Sequence, residues 1–233
     1  MKLRITCNLL VLLMFGMQTA HASRTQRVIE RDSELEDQLL AALEEAPVHR
    51  NVLTTVFWIG ESAKPNSGWS SNFDSAWDMR WKENFGGLDS PVLRKGFFPA
   101  KFRPKQNPFY AALPFNDISN PEYMETCPIL QSFKALKSSR IRSVCKNRWI
   151  EISWAGKVCY SQWQDVGPVF TNDYDYVFRG QEPRATNVDM AGLDISPATR
   201  DYLGLKGNVR TTWRFVSDSQ VPKGPWKAVV TST

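Results

Sequence analysis

The sequence predicts an all-β domain with long loop insertions, preceded by a single helix. Three observations carry that reading. From Leu53 onwards the chain is a series of short β-branched or aromatic segments punctuated by Pro, Gly, Asn and Asp, as in many-stranded folds. Two of those segments flank Ala155-Gly156 and alternate apolar with polar residues, which is the signature of a hairpin. Ahead of Leu53 the pattern is different: Leu35, Leu39 and Leu43 recur at helical spacing. With 233 residues, 42% of them hydrophobic and 12% aromatic, the chain has the material for the core of one domain.

The amino terminus reads as an address. Lys2 and Arg4 precede an apolar stretch from Ile5 to Met17, followed by Ala20-His21-Ala22. A basic start, a short apolar run and an A-x-A site make residues 1–22 a secretory signal peptide cleaved after Ala22, so the mature protein is expected to be secreted or periplasmic. The run is too short to span a bilayer comfortably, and no stable membrane span is expected. Cys7 lies inside the run rather than at the cleavage point, which excludes a lipoprotein cysteine. Cleavage removes two basic groups and no acidic ones, leaving a mildly basic chain. That charge suits an anionic wall polymer and lacks the clustered basic stripes of a nucleic-acid binder.

Residues 23–52 form the helix and its linker. The helix is expected over 27–46, with Ser33 and Glu36 spaced as a capping box and Pro47 as its stop. Residues 53–216 form the β domain, with strands expected at 53–60, 108–113, 147–154, 157–164 and 210–216. Residues 64–107 and 168–192 are expected to be loops, long enough to act as walls or lids of a site. Residues 217–233 are a carboxy-terminal tail.

In the hairpin, Ile150, Ile152 and Trp154 share one face and Glu151 and Ser153 the other. Its second strand runs into Gln164-Asp165-Val166-Gly167-Pro168, so the strand-breaking Gly-Pro presents Asp165 at a rim. Further on, Ser196 caps a helix opened by Pro197 and closed by Gly204, with Asp194 just ahead of the cap. Three cysteines follow the signal peptide, Cys127, Cys145 and Cys159, and in an oxidising compartment one disulfide is the default. Counting back from the hairpin turn pairs Cys159 with Ile152 and leaves Cys145 about seven residues out of register, which favours a Cys127–Cys145 bridge.

Composition excludes several chemistries. Of the two histidines, His21 leaves with the signal peptide, and His49 alone cannot build a His-rich zinc site. No glycine-rich phosphate loop is present, and neither a cofactor nor a metal is expected. The nine tryptophans stand out. Trp149, Trp163 and Trp213 fall within expected strands and belong to the core, and Trp77 and Trp81, four apart, read as one face of a short helix.

Four segments, in order, resemble the double-psi β-barrels of the expansin, rare-lipoprotein-A and barwin-like group: "YAALPFND", "QDVGP", "GLDISPATRDYLGL" and "TTWRFV". The resemblance covers roughly residues 53–216 and implies a six-stranded double-psi barrel with a polysaccharide groove across its face. It implies that Asp165 and Asp194 lie together in that groove. In the related endoglucanases the residue matching Asp194 is the general acid, and its partner base comes from the first barrel strand, where Glu61 is the acidic candidate here. Inverting hydrolysis needs two carboxylates about 6.5–9.5 Å apart. No histidine occurs in the segment where the lytic rare-lipoprotein-A enzymes use one, and the second domain of expansins is not expected in the seventeen residues after Val216. Polymer contacts would then come from Asp117, Trp58, Trp69, Tyr174 and Tyr176. The implied function is a monomeric barrel that binds and remodels a cell-wall polysaccharide, whether peptidoglycan or a plant or microbial glycan. The alternatives are a glycoside hydrolase with Asp194 as acid and Glu61 or Asp117 as base, or a protein-binding or inhibitor module.

Overall fold

The computed structural model describes residues 26–63, 71–137, 142–184 and 190–232. Six strands close into a mixed barrel in the order β1-β7-β4-β6-β5-β8. They are β1 (His49–Val56), β4 (Tyr110–Leu113), β5 (Trp149–Trp154), β6 (Lys157–Val166), β7 (Leu193–Ile195) and β8 (Val209–Val216). Two contacts are parallel, β1 with β7 and β4 with β6, and the rest are antiparallel. A two-stranded ribbon, β2 (Arg94–Lys95) with β3 (Phe98–Pro99), lies outside the barrel. The helices are α1 (26–44), α2 (Trp81–Phe85), α3 (Pro128–Leu136), α4 (Tyr174–Arg179) and α5 (Pro197–Leu203). Among the described residues no helix is long and apolar enough to cross a membrane.

The local chemistry explains these elements. Ala155 and Gly156 both take positive φ, 47° and 79°, the mirror-image turn whose twist matches that of a two-residue hairpin. The register that follows pairs Ile152 with Cys159. Ser196 Oγ accepts the Thr199 N–H at the start of α5, Pro197 occupies its first turn, and the Gly204 N–H closes on Arg200 O. The first strand runs from His49 to Val56 rather than over 53–60. The register slips between His49 and Val52 at Asn51 (φ 57°), and after Val56 the chain turns towards Gly60 (φ 83°). The expected loop 168–192 contains α4, ended by left-handed Gly180, and the expected loop 64–107 contains α2 and the β2–β3 ribbon.

Alternation sorts the side chains into two cores. Phe109, Ala111, Leu113, Ile150, Ile152, Trp163, Leu193, Ile195, Trp213 and Phe215 fill the barrel, joined by Leu39 and Leu43 of α1. Tyr110 and Ala112, on the opposite face of β4, pack outside it against Phe57, Ile59, Trp81 and Phe85. The segment from β1 to β4 thus roofs one outer face of the barrel, and that roof frames the site.

Candidate active site

One row of residues crosses that outer face. Asp194 of β7 lies opposite Thr55 of β1 on one side and Ala112 of β4 on the other, and Ala112 lies opposite Asp165 of β6. Directly opposed residues share a face, so Thr55, Asp194, Ala112 and Asp165 all point out under the roof. The two aspartates are two strands apart, roughly 9–10 Å between backbones at ordinary strand spacing, and the alanine between them leaves the gap open. A bulge makes this possible: Ala111 pairs with Trp163 but Ala112 with Asp165, so one extra residue of β6 re-aims the aspartate out of the barrel.

Asp165, 9% exposed, accepts the N–H groups of Ala76 and Val166 on Oδ1, both at 2.8 Å. Asp194 is half-buried and accepts Thr55 Oγ1 on Oδ1. Its Oδ2 faces the turn after β6, where a Cβ on Gly167 would stand 3.8 Å away. Among the described residues, no Lys or Arg forms an ion pair with either carboxylate. Burial pushes Asp165 up to about 7, against the pull of its two N–H donors. Burial also pushes Asp194 up to about 7, and the charges of Asp165 and Glu61 add to the rise. Glu61, 6% exposed, is therefore the third carboxylate of the cluster; Asn72 Nδ2 donates to its Oε2 at 3.1 Å. Asp165 and Asp194, which form no ion pair among the described residues, are both raised to about 7, the condition for a carboxyl to act as a general acid. Among the described residues, no group of three or more His, Cys, Asp or Glu is arranged to hold a metal.

The other sequence candidates fall elsewhere. Trp58 is half-buried and its carbonyl accepts the Glu61 N–H at 3.0 Å, so it opens the turn that carries Glu61. Trp69 lies outside the described residues. Asp117 is not at the site: it is 3% exposed and braces the loop before β5, accepting Ser143 Oγ at 2.7 Å and Val144 N at 2.5 Å. Tyr174 and Tyr176 are core rather than sugar platforms. Tyr174 stacks on Tyr123 at 4.1 Å, and Tyr176 OH accepts Trp213 Nε1 at 2.7 Å. From the sequence both are expected in an exposed loop, but α4 turns them inward. The Cys127–Cys145 bridge is absent; Cys127, Cys145 and Cys159 are buried free thiols. The hydrogen bonds of Asp117, together with Lys137 Nζ donating to the carbonyls of Ser143 and Lys146, organise that loop in place of a disulfide.

Sequence reasoning missed Thr55, Ala76 and Asn72. Thr55 carried a weak signal as a hydroxyl on the strand that supplies Glu61; a backbone N–H such as that of Ala76 carries none. No protein-family model and no curated protein matches the chain. What fold and site define together is a closed six-stranded mixed β-barrel with a pair of aspartates, in no ion pair among the described residues, on one roofed outer face.

Proposed function

We propose that this chain is an exported double-psi β-barrel of the expansin and rare-lipoprotein-A kind that binds a cell-wall polysaccharide and remodels it, with Asp194 as the proton donor. The observation that carries the reading is the strand register that sets Asp194 and Asp165 on one roofed face across Ala112, where burial and the charges of Asp165 and Glu61 raise Asp194 to about 7. A carboxyl that keeps its proton near neutral pH can deliver it to a glycosidic oxygen, and Asp165 beside it raises its hold on that proton. The resemblance of "QDVGP" and "GLDISP" to the family's groove segments supports the same pair.

The position of Glu61 favours a second reading, glycoside hydrolysis. Its charge reaches Asp194, which supports it as the base that would take the proton of an attacking water. One set of variants separates the readings. Asp194→Asn should lower wall loosening or sugar release by about 10²–10⁴-fold, the usual worth of a general acid, while thermal unfolding stays unchanged or improves. Glu61→Gln should abolish sugar release if the reaction is hydrolysis, and should leave loosening intact if it is not. Asp194→Asn protein with full activity per folded molecule would overturn both readings. Mass spectrometry of the exported chain should find Ser23 at its start.

A further inference from the structure

The turn that holds Asp165 has a second side. Ala76 gives its N–H to Asp165, and the next two residues, Trp77 and Asp78, line a surface cavity of about 590 Å³ together with Arg80, Lys105, Gln106 and Lys146. That volume falls within the range of small-ligand sites. Trp77 is half-buried and fixed, its Nε1 donating to Asn116 Oδ1 at 3.2 Å and its ring edge-on to Trp163 at 5.5 Å. Asp78, the only acid lining the cavity among the described residues, is occupied by internal donors: Arg80 N and Asn84 Nδ2 on Oδ1, and Gln106 Nε2 on Oδ2. Arg80 is shared with Glu83 at 2.6 Å. Lys105 and Lys146 have no ion-pair partner among the described residues.

Lys146 is the telling residue. It is only 9% exposed, and no carboxylate or carbonyl among the described residues accepts from its Nζ. Burying an ammonium without a partner costs stability and is ordinarily avoided. Burial lowers its hold on its proton, against the attraction of Asp78. Structural lysines snorkel into water or find a carboxylate; this one buries its stem and has no carboxylate in an ion pair among the described residues, beside a cavity walled by an indole.

We infer that this cavity is a binding subsite for a carboxylate-bearing saccharide, with the sugar ring against Trp77 and its carboxylate on Lys146 and Lys105. The inference rests on the glycan reading above for the sugar, and on the cavity alone for the negative charge. A bound carboxylate supplies the charge-assisted partner that Lys146 lacks, and the fixed indole offers an apolar face at little entropic cost. One turn therefore serves both sides, positioning Asp165 through Ala76 and an acidic sugar unit through Trp77.

The test is calorimetric titration of the full mature chain with oligogalacturonate, a uronic-acid chain, and with its methyl ester, which keeps the rings and removes the charge. The acid should bind at least tenfold more tightly than the ester, and the difference should shrink with added salt. Lys146→Met should weaken acid binding at least tenfold while leaving the melting temperature and the binding of the ester unchanged, since it keeps the buried stem and removes the charge. Trp77→Ala should weaken acid and ester alike. Asp194→Asn should leave acid binding unchanged; if that variant also keeps full wall activity, the proton-donor reading falls and the subsite stands. Equal binding of acid and ester, no binding of either, or a Lys146→Met protein that binds the acid normally would each overturn the subsite and leave the reading of Asp194 intact.

Discussion

Asp89 and the Asp165–Asp194 pair are buried acids under the same roof, and the protein compensates them in opposite ways. Asp89 is fully buried and meets Arg94 Nη1 at 2.6 Å and Tyr110 OH at 2.9 Å. Arg94 is itself buried and also reaches Asp201 at 3.1 Å and the carbonyls of Ser90 and Phe97. Burial raises Asp89, and Arg94 pulls it back. Asp165 and Asp194 have amide and hydroxyl donors and no ion pair among the described residues, and burial raises both to about 7, so we propose that a proton takes the place that Arg94 takes at Asp89. A buried carboxylate alone therefore marks nothing. It marks chemistry where the group that balances it is a proton that can be given away.

The largest effect that can break this comparison is on the structural side. Arg94→Met strands the Asp89 charge and should cost about 3–5 kcal/mol in denaturant unfolding, whereas Asp194→Asn should cost nothing. Equal losses would make both acids structural. A smaller effect is expected at Asp117. Asp117→Ala leaves Ser143 Oγ and the Val144 N–H without their acceptor and should cost about 1–3 kcal/mol, with wall activity per folded molecule unchanged. Loss of activity beyond the folded fraction would return Asp117 to the site.

The smallest effect is a pH dependence. In the folded chain Asp165 and Asp194 titrate at about 7, raised from 3.8. Between those values the folded state binds more protons than the unfolded one, so these groups favour folding most below pH about 4. Their contribution is lost as pH rises towards about 7 and stays level above it. Asp165→Asn keeps the acceptor for Ala76 and removes one of the two titrations. Its melting temperature should therefore match the parent at low pH and exceed it above neutrality. A variant that instead loses ground as pH rises would mean that Asp165 is held ionised.

How much of this was legible in the sequence follows from the range of the forces involved. The hairpin at 149–163 and the capped helix after Asp194 were readable because their signals are local: turn residues, alternation, and a Ser-Pro start with a Gly stop. The alliance of Asp165 with Asp194 was readable only through family resemblance, since two separate strand registers and a bulge bring them together across Ala112. The Asp89–Arg94–Asp201 network left no sequence trace, because its members become partners only once the roof closes on the barrel. Tyr174 and Tyr176 misled because a six-residue helix buries what a loop would expose. The cysteines misled because compartment predicts pairing, whereas Asp117 supplies the loop with another anchor.

The central claim is that a proton, rather than a cation, balances the Asp165–Asp194 pair. Carbon-13 NMR titration of the side-chain carboxyl carbons, with Asp165→Asn and Asp194→Asn used to assign the signals, measures this directly. Both carboxyls should titrate near pH 7, and removing Asp165 should bring Asp194 down, since the charge of Asp165 helps hold it up. Midpoints for both in the ordinary carboxylate range around 4, or an Asp194 midpoint indifferent to Asp165, would contradict it.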